Sequence, residues 1–228
     1  MNGVVIVAAG SGSRMNMGIN KQFIKLKDKE IIAYTIEKFY KHKNIDEVVV
    51  VIKEEEFEFF KSEIIDKYNF KNIKIAFGGK ERQDSVYNGL KKLDKNCDIV
   101  LVHDGARPFI SEKLIDNCIK EAKNNNAVVV GVPVKDTIKV INEEYDIVGT
   151  PDRSKLWAVQ TPQTFNYDIL LKSYEDAFKN DFYGTDDAML VERIGYKVKM
   201  IEGSYNNIKI TTQEDLNIGT QILKEGQY

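Results

Sequence analysis

The feature that most constrains the fold is a short apolar run near the start of the chain, followed by a loop of small residues. Residues 4–8 are continuously apolar, as in a strand that is buried on both faces. Residues 9–18 are rich in glycine and serine. A buried strand that ends in such a loop is typical of a parallel α/β sheet, in which ligands bind beyond the carboxyl ends of the strands.

The rest of the chain alternates between strand and helix patterns, which favours a parallel sheet. No stretch rich in Pro, Gly or Ser divides the chain, so we expect one domain over residues 1–228. After the first strand, the predicted strands are 47–52, 73–77, 99–103, 127–132 and 197–202, with a short one at 209–210. The predicted helices are 31–40, 54–68, 85–93, 111–123, 167–179, 186–193 and a C-terminal one capped by Thr212.

One segment breaks this alternation. Apolar residues flank the polar stretch 142–146, a pattern that predicts two strands joined by a turn over residues 134–150. A hairpin inserted in a parallel sheet often projects from it. We therefore predict an α/β fold whose mixed, mostly parallel sheet carries a protruding β-hairpin arm at about 134–155.

Composition excludes several classes of protein. Lys and Arg total 33 against 35 Asp and Glu, a net charge of −2, which gives no case for binding nucleic acid or an anionic membrane. The chain opens without a charged signal-peptide region, and nowhere do about 18 apolar residues run together; we expect a cytoplasmic protein. Cys97 and Cys118 lack CxxC spacing, so neither a disulfide framework nor a zinc site is predicted.

The loop after the first strand has the composition of an anion site. It reads AAGSGSRM from residue 8 and is followed by Lys21 and Gln22. Its small residues let backbone N–H groups approach a polyphosphate. Arg14 can add a planar fork to phosphate oxygens, and Lys21 a mobile point charge at the reacting phosphorus. Residues 1–27 contain no Asp or Glu, so the positive charge is local.

Two familiar nucleotide-binding loops fit this segment less well. A P-loop would end in Gly-Lys-Ser/Thr, which Ser13-Arg14-Met15 does not supply. A dinucleotide fingerprint needs Gly or Ala where Met15 stands, which leaves a hydride-transferring oxidoreductase as a minor alternative. A glycine pair after a first strand can also be a plain tight turn.

Two further polar clusters follow predicted strands and are expected at the same edge of the sheet. GGKERQDS, from residue 78, offers glycine backbone against which a flat base or sugar can lie. VHDGARP, from residue 102, brings Asp104 and Arg107 to that edge. Asp104 is a candidate for a ribose hydroxyl or for magnesium.

Each cluster also has an ordinary structural explanation. The glycines can form a turn, with Asp84 or Ser85 capping the next helix. The aspartate is often a turn residue, and Arg107 is often a structural ion-pair partner. TDDA, from residue 185, is better explained as a capped helix start than as a metal site. Lys209, taken in isolation, is a solvated lysine by default.

The clusters occur together in the order of one enzyme family. In chain order they are AAGSGSRM with KQF, GGKERQDSV with NGL, VHDGARP, VPVKDTIK, DRSKLWAVQTPQTF, TDDA and NIKITTQEDL. Together they resemble the 2-C-methyl-D-erythritol 4-phosphate cytidylyltransferases of the non-mevalonate isoprenoid pathway, over nearly the whole chain. The resemblance implies a Rossmann-like nucleotidyltransferase fold with a dimerising arm, which uses CTP and magnesium to make a CDP-alcohol and pyrophosphate.

The resemblance also implies roles for individual residues. Arg14 and Lys21 match loop cations that stabilise the transition state, and Arg153 and Lys209 match residues that position the phosphorylated acceptor. Thr137 and Arg153 are expected to reach into the partner subunit's site. Magnesium is expected mainly on the CTP phosphates, with Asp104 a weak candidate ligand. The other expected substrate-binding residues are Ala8, Ala9, Gly10, Ser11, Gly79, Lys80, Ser85, Asp104, Gly105, Arg107 and Thr161.

The chain departs from the family pattern at two positions. Asn20 and Gln213 stand where the family usually has proline, which leaves the unbound loops less rigid but removes no charge. Two alternatives stay open. Ribitol-5-phosphate cytidylyltransferases share the loop, QTPQTF and KITT segments, although residues 8–10 and 103–107 favour the isoprenoid enzyme. A non-catalytic nucleotide-sensing module is the other.

Overall fold

A seven-stranded sheet with the strand order β11-β7-β10-β6-β1-β4-β5 forms the centre of the molecule. The computed structural model describes residues 1–10 and 20–226, and of Lys21 only the backbone. The strands are β1 (Asn2–Val7), β2 (Lys25–Leu26), β3 (Lys29–Glu30), β4 (Glu47–Ile52), β5 (Lys74–Phe77), β6 (Ile99–Asp104), β7 (Ala127–Pro133), β8 (Val140–Ile141), β9 (Ile147–Gly149), β10 (Trp157–Asn166) and β11 (Lys199–Glu202).

Helices cover both faces of this sheet. They are α1 (Ile31–Tyr40), α2 (Phe57–Phe60), α3 (Arg82–Leu90), α4 (Glu112–Asn125), α5 (Tyr167–Lys179), α6 (Asp187–Arg193) and α7 (Gln213–Glu225). Apolar side chains of α1, α2 and α4 pack on one face, and those of α3, α5 and α6 on the other. Helix α7 closes a smaller cluster with β2 and the start of α1. No helix in the described part of the chain is long and apolar enough to cross a bilayer.

Strand β1 explains why the opening run is apolar throughout. Val4 and Ile6 point into one core, and Val5 points into the other. All three side chains are fully buried. The strand pairs in parallel with β4 and with β6, as expected for a strand that is covered on both faces. The predicted mostly parallel, mixed α/β sheet is therefore confirmed.

The mixed character comes from β10, which runs antiparallel to both β6 and β7. This strand is not predicted from the sequence because its buried part is polar. Gln163 is 1% exposed, yet its side-chain amide donates to the Asp186 carboxylate at 2.8 Å and its carbonyl accepts from the Ala188 N–H at 2.9 Å. Internal hydrogen bonds thus replace the apolar alternation by which strands are recognised.

Other predictions were met to different degrees. Ser111, Asp186 and Thr212 cap α4, α6 and α7 with their side chains, as the sequence indicated. The predicted helix 54–68 is instead a 3₁₀ segment (Glu54–Glu56), α2 and a π-helical segment (Lys61–Asp66). The predicted strand at 209–210 is wrong: the Ile210 N–H donates to the Ala106 carbonyl at 2.9 Å, and no ladder forms there.

The predicted hairpin is present. Strands β8 and β9 pair antiparallel, with Val140 opposite Gly149 and Ile141 opposite Ile147. Apolar side chains here are exposed, Tyr145 by 81% and Ile147 by 63%. The segment between β7 and β10 thus adds little to the core, and we refer to residues 134–155 as the arm.

Helix α3 lies so close to the sheet that one of its positions must be glycine. A Cβ atom on Gly89 would lie 2.4 Å from Val5 Cγ1 and 2.8 Å from Val51 Cγ2. We expect Gly89→Ala to lower the free energy of unfolding by about 1–3 kcal/mol through overpacking, although alanine is the better helix former. Chemical denaturation measures this. Gly149→Ala, whose nearest neighbour would be 3.8 Å away, is the control, and equal losses would contradict the packing argument.

Candidate active site

A cleft of about 610 Å³ opens where β1, β4, β5 and β6 end. The parallel register places Val7, the last residue of β1, beside Asp104, the last residue of β6. Loops that follow the strands therefore meet at one edge, as the sequence analysis expected. The predicted site residues that line the cleft are Ala8, Ala9, Gly10, Gly79, Lys80, Ser85, Asp104 and Lys209.

Backbone at Gly78 and Gly79 forms one wall. The Gly78 N–H donates to the Ile52 carbonyl at 2.8 Å, and a Cβ there would lie 2.4 Å from the Ala9 Cβ. The Gly79 N–H donates to the Ser85 hydroxyl at 3.1 Å, and that hydroxyl donates to the Glu81 carbonyl. These bonds fix the turn, and because both residues are glycines, the turn also gives the cleft a wall without side chains. The predicted turn and the predicted site are therefore the same segment.

Asp104 lies among three cations. Its Oδ2 is 2.9 Å from the Lys209 ammonium and 3.6 Å from Arg107 Nε, and its Oδ1 is 3.9 Å from Arg82 Nε. Burial opposes ionisation of the carboxyl, but the three cations outweigh it and hold the pKa of Asp104 well below its usual range. Asp104 is therefore an ionised carboxylate at neutral pH.

A chain of hydrogen bonds supports Asp104 from behind. Its N–H donates to the Thr161 hydroxyl at 3.0 Å, and that hydroxyl lies 3.0 Å from His103 Nδ1. His103 Nε2 is 3.0 Å from the Arg107 carbonyl, which can only accept, so Nε2 carries the proton and Nδ1 accepts from Thr161. Burial lowers the pKa of His103 to about 4, and the ring is neutral.

Three of the predicted substrate contacts, Gly105, Arg107 and Thr161, do not line the cleft. Gly105 and Thr161 are buried behind it. The Thr161 hydroxyl accepts from the Asp104 N–H and donates to His103 Nδ1. Gly105 donates its N–H to the Val7 carbonyl at 2.9 Å. The structure thus places these two residues as supports of the Asp104 loop, and their predicted substrate contacts stay untested.

The segment that carries Lys209 docks on the Asp104 loop. Arg107 Nη1 donates to the Asn207 carbonyl at 2.8 Å, and the Asn207 side chain donates to the Thr161 carbonyl at 2.9 Å. These bonds bring Lys209 to the cleft, although it follows Asp104 by more than a hundred positions. Its side chain is 39% exposed, which leaves the ammonium free to move.

Arg82 is a cleft residue that the sequence analysis did not single out. Its guanidinium makes two hydrogen bonds to Asp187, at 3.0 Å and 2.8 Å. Asp187 has no exposed surface and also accepts from the Tyr174 hydroxyl at 2.5 Å. Asp187 and its neighbour Asp186 both belong to the TDDA segment. Asp186 caps α6, as expected, but Asp187 pairs with Arg82 and has no part in the cap. No local pattern in the sequence marks Asp187 as the buried partner of Arg82.

The remaining predicted residues lie outside the described part of the chain, beside this cleft or on the arm. Ser11 and Arg14 lie outside the described residues, and Lys21 begins the short 3₁₀ segment Lys21–Phe23. Next to Lys21, the buried side chain of Gln22 donates to the Ala8 carbonyl at 2.7 Å, which fixes this segment beside the cleft. Predicted residues Thr137 and Arg153 are exposed on the arm, where Arg153 Nη1 donates to the Lys135 carbonyl at 2.6 Å.

Comparisons with known proteins agree with this geometry. Residues 3–225 match the family described as IspD: 2-C-methyl-D-erythritol 4-phosphate cytidylyltransferase. The protein of that name from Clostridioides difficile (strain 630) is 66% identical over 98% of this chain and 94% of its own length. One from Clostridium botulinum (strain Langeland / NCTC 10281 / Type F) is 52% identical over 98% of each.

Solved structures give the same result. The crystal structure of 4-diphosphocytidyl-2C-methyl-D-erythritol synthase from Anaerococcus prevotii DSM 20548 superposes with a TM-score of 0.87 at 35% identity, covering 98% of this chain and 96% of that one. The Francisella tularensis 2-C-methyl-D-erythritol 4-phosphate cytidylyltransferase gives 0.83 at 32% identity, covering 96% and 98%. Both superpositions extend over nearly the whole of each chain.

The neutral, buried His103 makes the support of the cleft sensitive to acid. Its pKa is about 4 in the folded chain against 6.5 for a free histidine, so unfolding takes up a proton between these values and stability falls as the pH falls through that window. We expect His103→Gln to make the slope of unfolding free energy against pH shallower by about 1 kcal/mol per pH unit there. Denaturant titrations from pH 6.5 to 4 measure the slope, and an unchanged slope would contradict this account.

Proposed function

The chain belongs to the 2-C-methyl-D-erythritol 4-phosphate cytidylyltransferase family, and from that membership we propose how its residues carry out the family's reaction. It transfers CMP from CTP to 2-C-methyl-D-erythritol 4-phosphate, giving 4-diphosphocytidyl-2-C-methyl-D-erythritol and pyrophosphate for isoprenoid synthesis. The observation that carries the assignment of roles is the meeting of Lys209 and Asp104 with the glycine backbone at one edge of the sheet.

We propose that the nucleotide lies along the ends of β1 and β5. The wall at Gly78 and Gly79 has no side chains, so a flat base can lie against it. Ser85 fixes this wall through its hydroxyl. Backbone at Ala8, Ala9 and Gly10 then continues toward the triphosphate, which Lys80 can approach from the other side.

The reaction is in-line substitution at phosphorus. A phosphate oxygen of the acceptor attacks the α-phosphorus of CTP, the bond from that phosphorus to the bridging oxygen breaks, and pyrophosphate leaves with the bonding electrons. Negative charge builds on the phosphoryl oxygens, and we assign its stabilisation to Arg14 and Lys21. The nucleophile is already an anion, so no general base is needed. This agrees with His103, which is neutral and behind the cleft.

We assign positioning of the acceptor phosphate to Lys209 and, from a second subunit, Arg153. Lys209 has a flexible stem and one carboxylate partner, so an incoming phosphate can take over its ammonium. Arg153 and Thr137 do not line the cleft of their own chain. Their place on an exposed arm with apolar side chains supports a homodimer in which each arm completes the partner's site.

Magnesium is proposed to enter with CTP. Both oxygens of Asp104 face cations, and the described residues contain no group of three or more His, Cys, Asp or Glu that could hold a metal. A single carboxylate, Asp104, fits a magnesium ion that is bound chiefly by phosphate oxygens and keeps several waters. Once bound, it would neutralise charge on the triphosphate. Asp104 is the residue that could reach it after Lys209 has moved.

We propose a cytoplasmic location for this reaction. Both substrates are multiply charged and water-soluble, which suits an enzyme that takes them directly from the cytoplasm. Immunodetection in separated cytoplasmic and membrane fractions tests this, and recovery in the membrane fraction would contradict it.

Acceptor identity is tested by supplying CTP and magnesium with either methylerythritol phosphate or ribitol 5-phosphate and measuring pyrophosphate. We expect release with methylerythritol phosphate and less than about 1% of that rate with ribitol phosphate, because a site built around one pattern of hydroxyls leaves polar groups unpaired with another. Faster release with ribitol phosphate would favour the other cytidylyltransferase. No release with either would favour a nucleotide-binding module.

Sharing of the site between subunits is tested by mixing two impaired variants and assaying them at an acceptor concentration far below the KM of the Arg153 variant. We expect Lys21→Ala to lose about 100- to 1,000-fold in kcat, with Lys25→Ala, whose side chain is exposed on β2, as the control. Arg153→Ala should raise the KM for the acceptor and leave CTP affinity alone. After unfolding and refolding together in equal amounts, the pair should recover roughly one quarter of wild-type turnover, since half of the dimers then hold one intact site.

Absence of recovery, with dimers present by light scattering, would place Arg153 in the site of its own chain. A selective loss of CTP affinity in Arg153→Ala would contradict its assignment to the acceptor.

A further inference from the structure

Arg82 joins the cleft to the interior of the protein. On the inner side, its Nη1 and Nη2 donate to the two carboxylate oxygens of Asp187. On the cleft side, its Nε lies 3.9 Å from Asp104 Oδ1. One planar guanidinium therefore faces two carboxylates, a geometry that a lysine ammonium cannot reproduce.

Its partners show that Arg82 is held rigidly. Asp187 is fully buried, and the Tyr174 hydroxyl donates to the same oxygen that accepts from Nη1. Burial disfavours the Arg82 cation, but Asp187 and Asp104 more than compensate and raise its pKa further above its ordinary value. Arg82 is thus a permanent charge in a fixed position. Its strongest hydrogen bonds are made to the protein itself, whereas the other cations of the cleft are proposed to bind phosphate.

Lys209 is the opposite kind of cation. Its exposed fraction of 39% is close to the 33% of Arg82, but among the described residues its ion pair is with Asp104 Oδ2, at 2.9 Å, and it has no buried anchor like Asp187. Under the proposed function this ammonium moves to the acceptor phosphate, and Asp104 then loses its nearest cation. Arg107 Nε remains near Oδ2 at 3.6 Å. Among the described residues, Arg82 is the cation that pairs with Oδ1 of Asp104.

We propose that Arg82 is a positioning residue that holds the Asp104 carboxylate in place when Lys209 leaves it for the acceptor phosphate. Asp187 anchors Arg82 in turn. The inference rests on the proposed roles of Asp104 and Lys209 and adds the group that keeps Asp104 oriented during the exchange. A competing explanation is that the Arg82–Asp187 pair only fastens α6 to α3.

A double-mutant cycle separates these explanations, because residues that act through one another give non-additive losses. The kcat/KM for methylerythritol phosphate is measured by pyrophosphate release for wild type, Arg82→Lys, Asp104→Asn and the double variant. We expect Arg82→Lys alone to lose about 10- to 100-fold, as supporting residues of functional groups do. In the Asp104→Asn background the same change should cost less than about threefold.

Arg193→Lys is the matched control. Arg193 Nε also pairs with an aspartate, Asp176 at 3.2 Å, and fastens α6 to α5 without lining the cleft. It should keep kcat/KM within about twofold of wild type, since exposed pairs contribute little. Thermal unfolding of each variant shows that the rates refer to folded protein.

Equal losses from Arg82→Lys in both Asp104 backgrounds, or activity like that of the control, would overturn the proposal. If Asp104→Asn is too slow for steady-state assay, single-turnover conversion of labelled CTP replaces kcat/KM as the measurement in the cycle. If Arg82→Lys does not fold, Asp187→Asn takes its place; should neither fold, the pair serves folding alone and the proposal fails. Full activity of Lys209→Ala would instead refute the proposed role of Lys209, independently of Arg82.

Discussion

Burial of β1 on both faces is the constraint on which the rest of the structure depends. A strand of this kind must pair on both edges and be covered on both faces, because its backbone and its apolar side chains have no access to water. Strands β4 and β6 supply the pairs. Past the end of β1, the Ala8 N–H still donates to the Val51 carbonyl, and the Gly105 N–H donates to the Val7 carbonyl. The loops that form the cleft are therefore fixed by the continuation of the central ladder.

Polar groups buried beside that ladder form the support of the cleft. Thr161, His103 and Asp187 are each below a tenth exposed, and such groups are costly unless they are hydrogen-bonded. Each finds its partner in a residue that reaches the cleft or its loops: Asp104 for Thr161, the Arg107 carbonyl for His103, and Arg82 for Asp187. The hydrogen bonds that satisfy the buried polar groups are thus the same bonds that orient the residues of the cleft.

Much of the fold could be predicted because it follows from apolar periodicity. The strands at 47–52 and 99–103 and the capped helix after Ser111 are visible in the sequence for that reason. Strand β10 was not, since the buried Gln163 satisfies its amide through contacts that only the folded chain provides.

Within the site, the clusters at 78–85 and 102–108 could be predicted because loops after parallel strands meet at one edge. The pairing of Arg82 with Asp187 joins residues 105 positions apart, which no local pattern encodes.

A carboxylate at the centre of an anion site is explained by this distribution of charge. Arg82, Arg107 and Lys209 would repel one another in a partly buried cleft, and Asp104 offsets that repulsion while the cleft is empty. With Asp187 included, three cations face two carboxylates, so this cluster of five side chains carries net positive charge. Of the three, Lys209 is the most exposed, and a phosphate can draw it away at the smallest structural cost. Under the proposed function, the cleft exchanges one anion for another around Lys209, while the arginines that are bonded to the protein keep the geometry in which that exchange occurs.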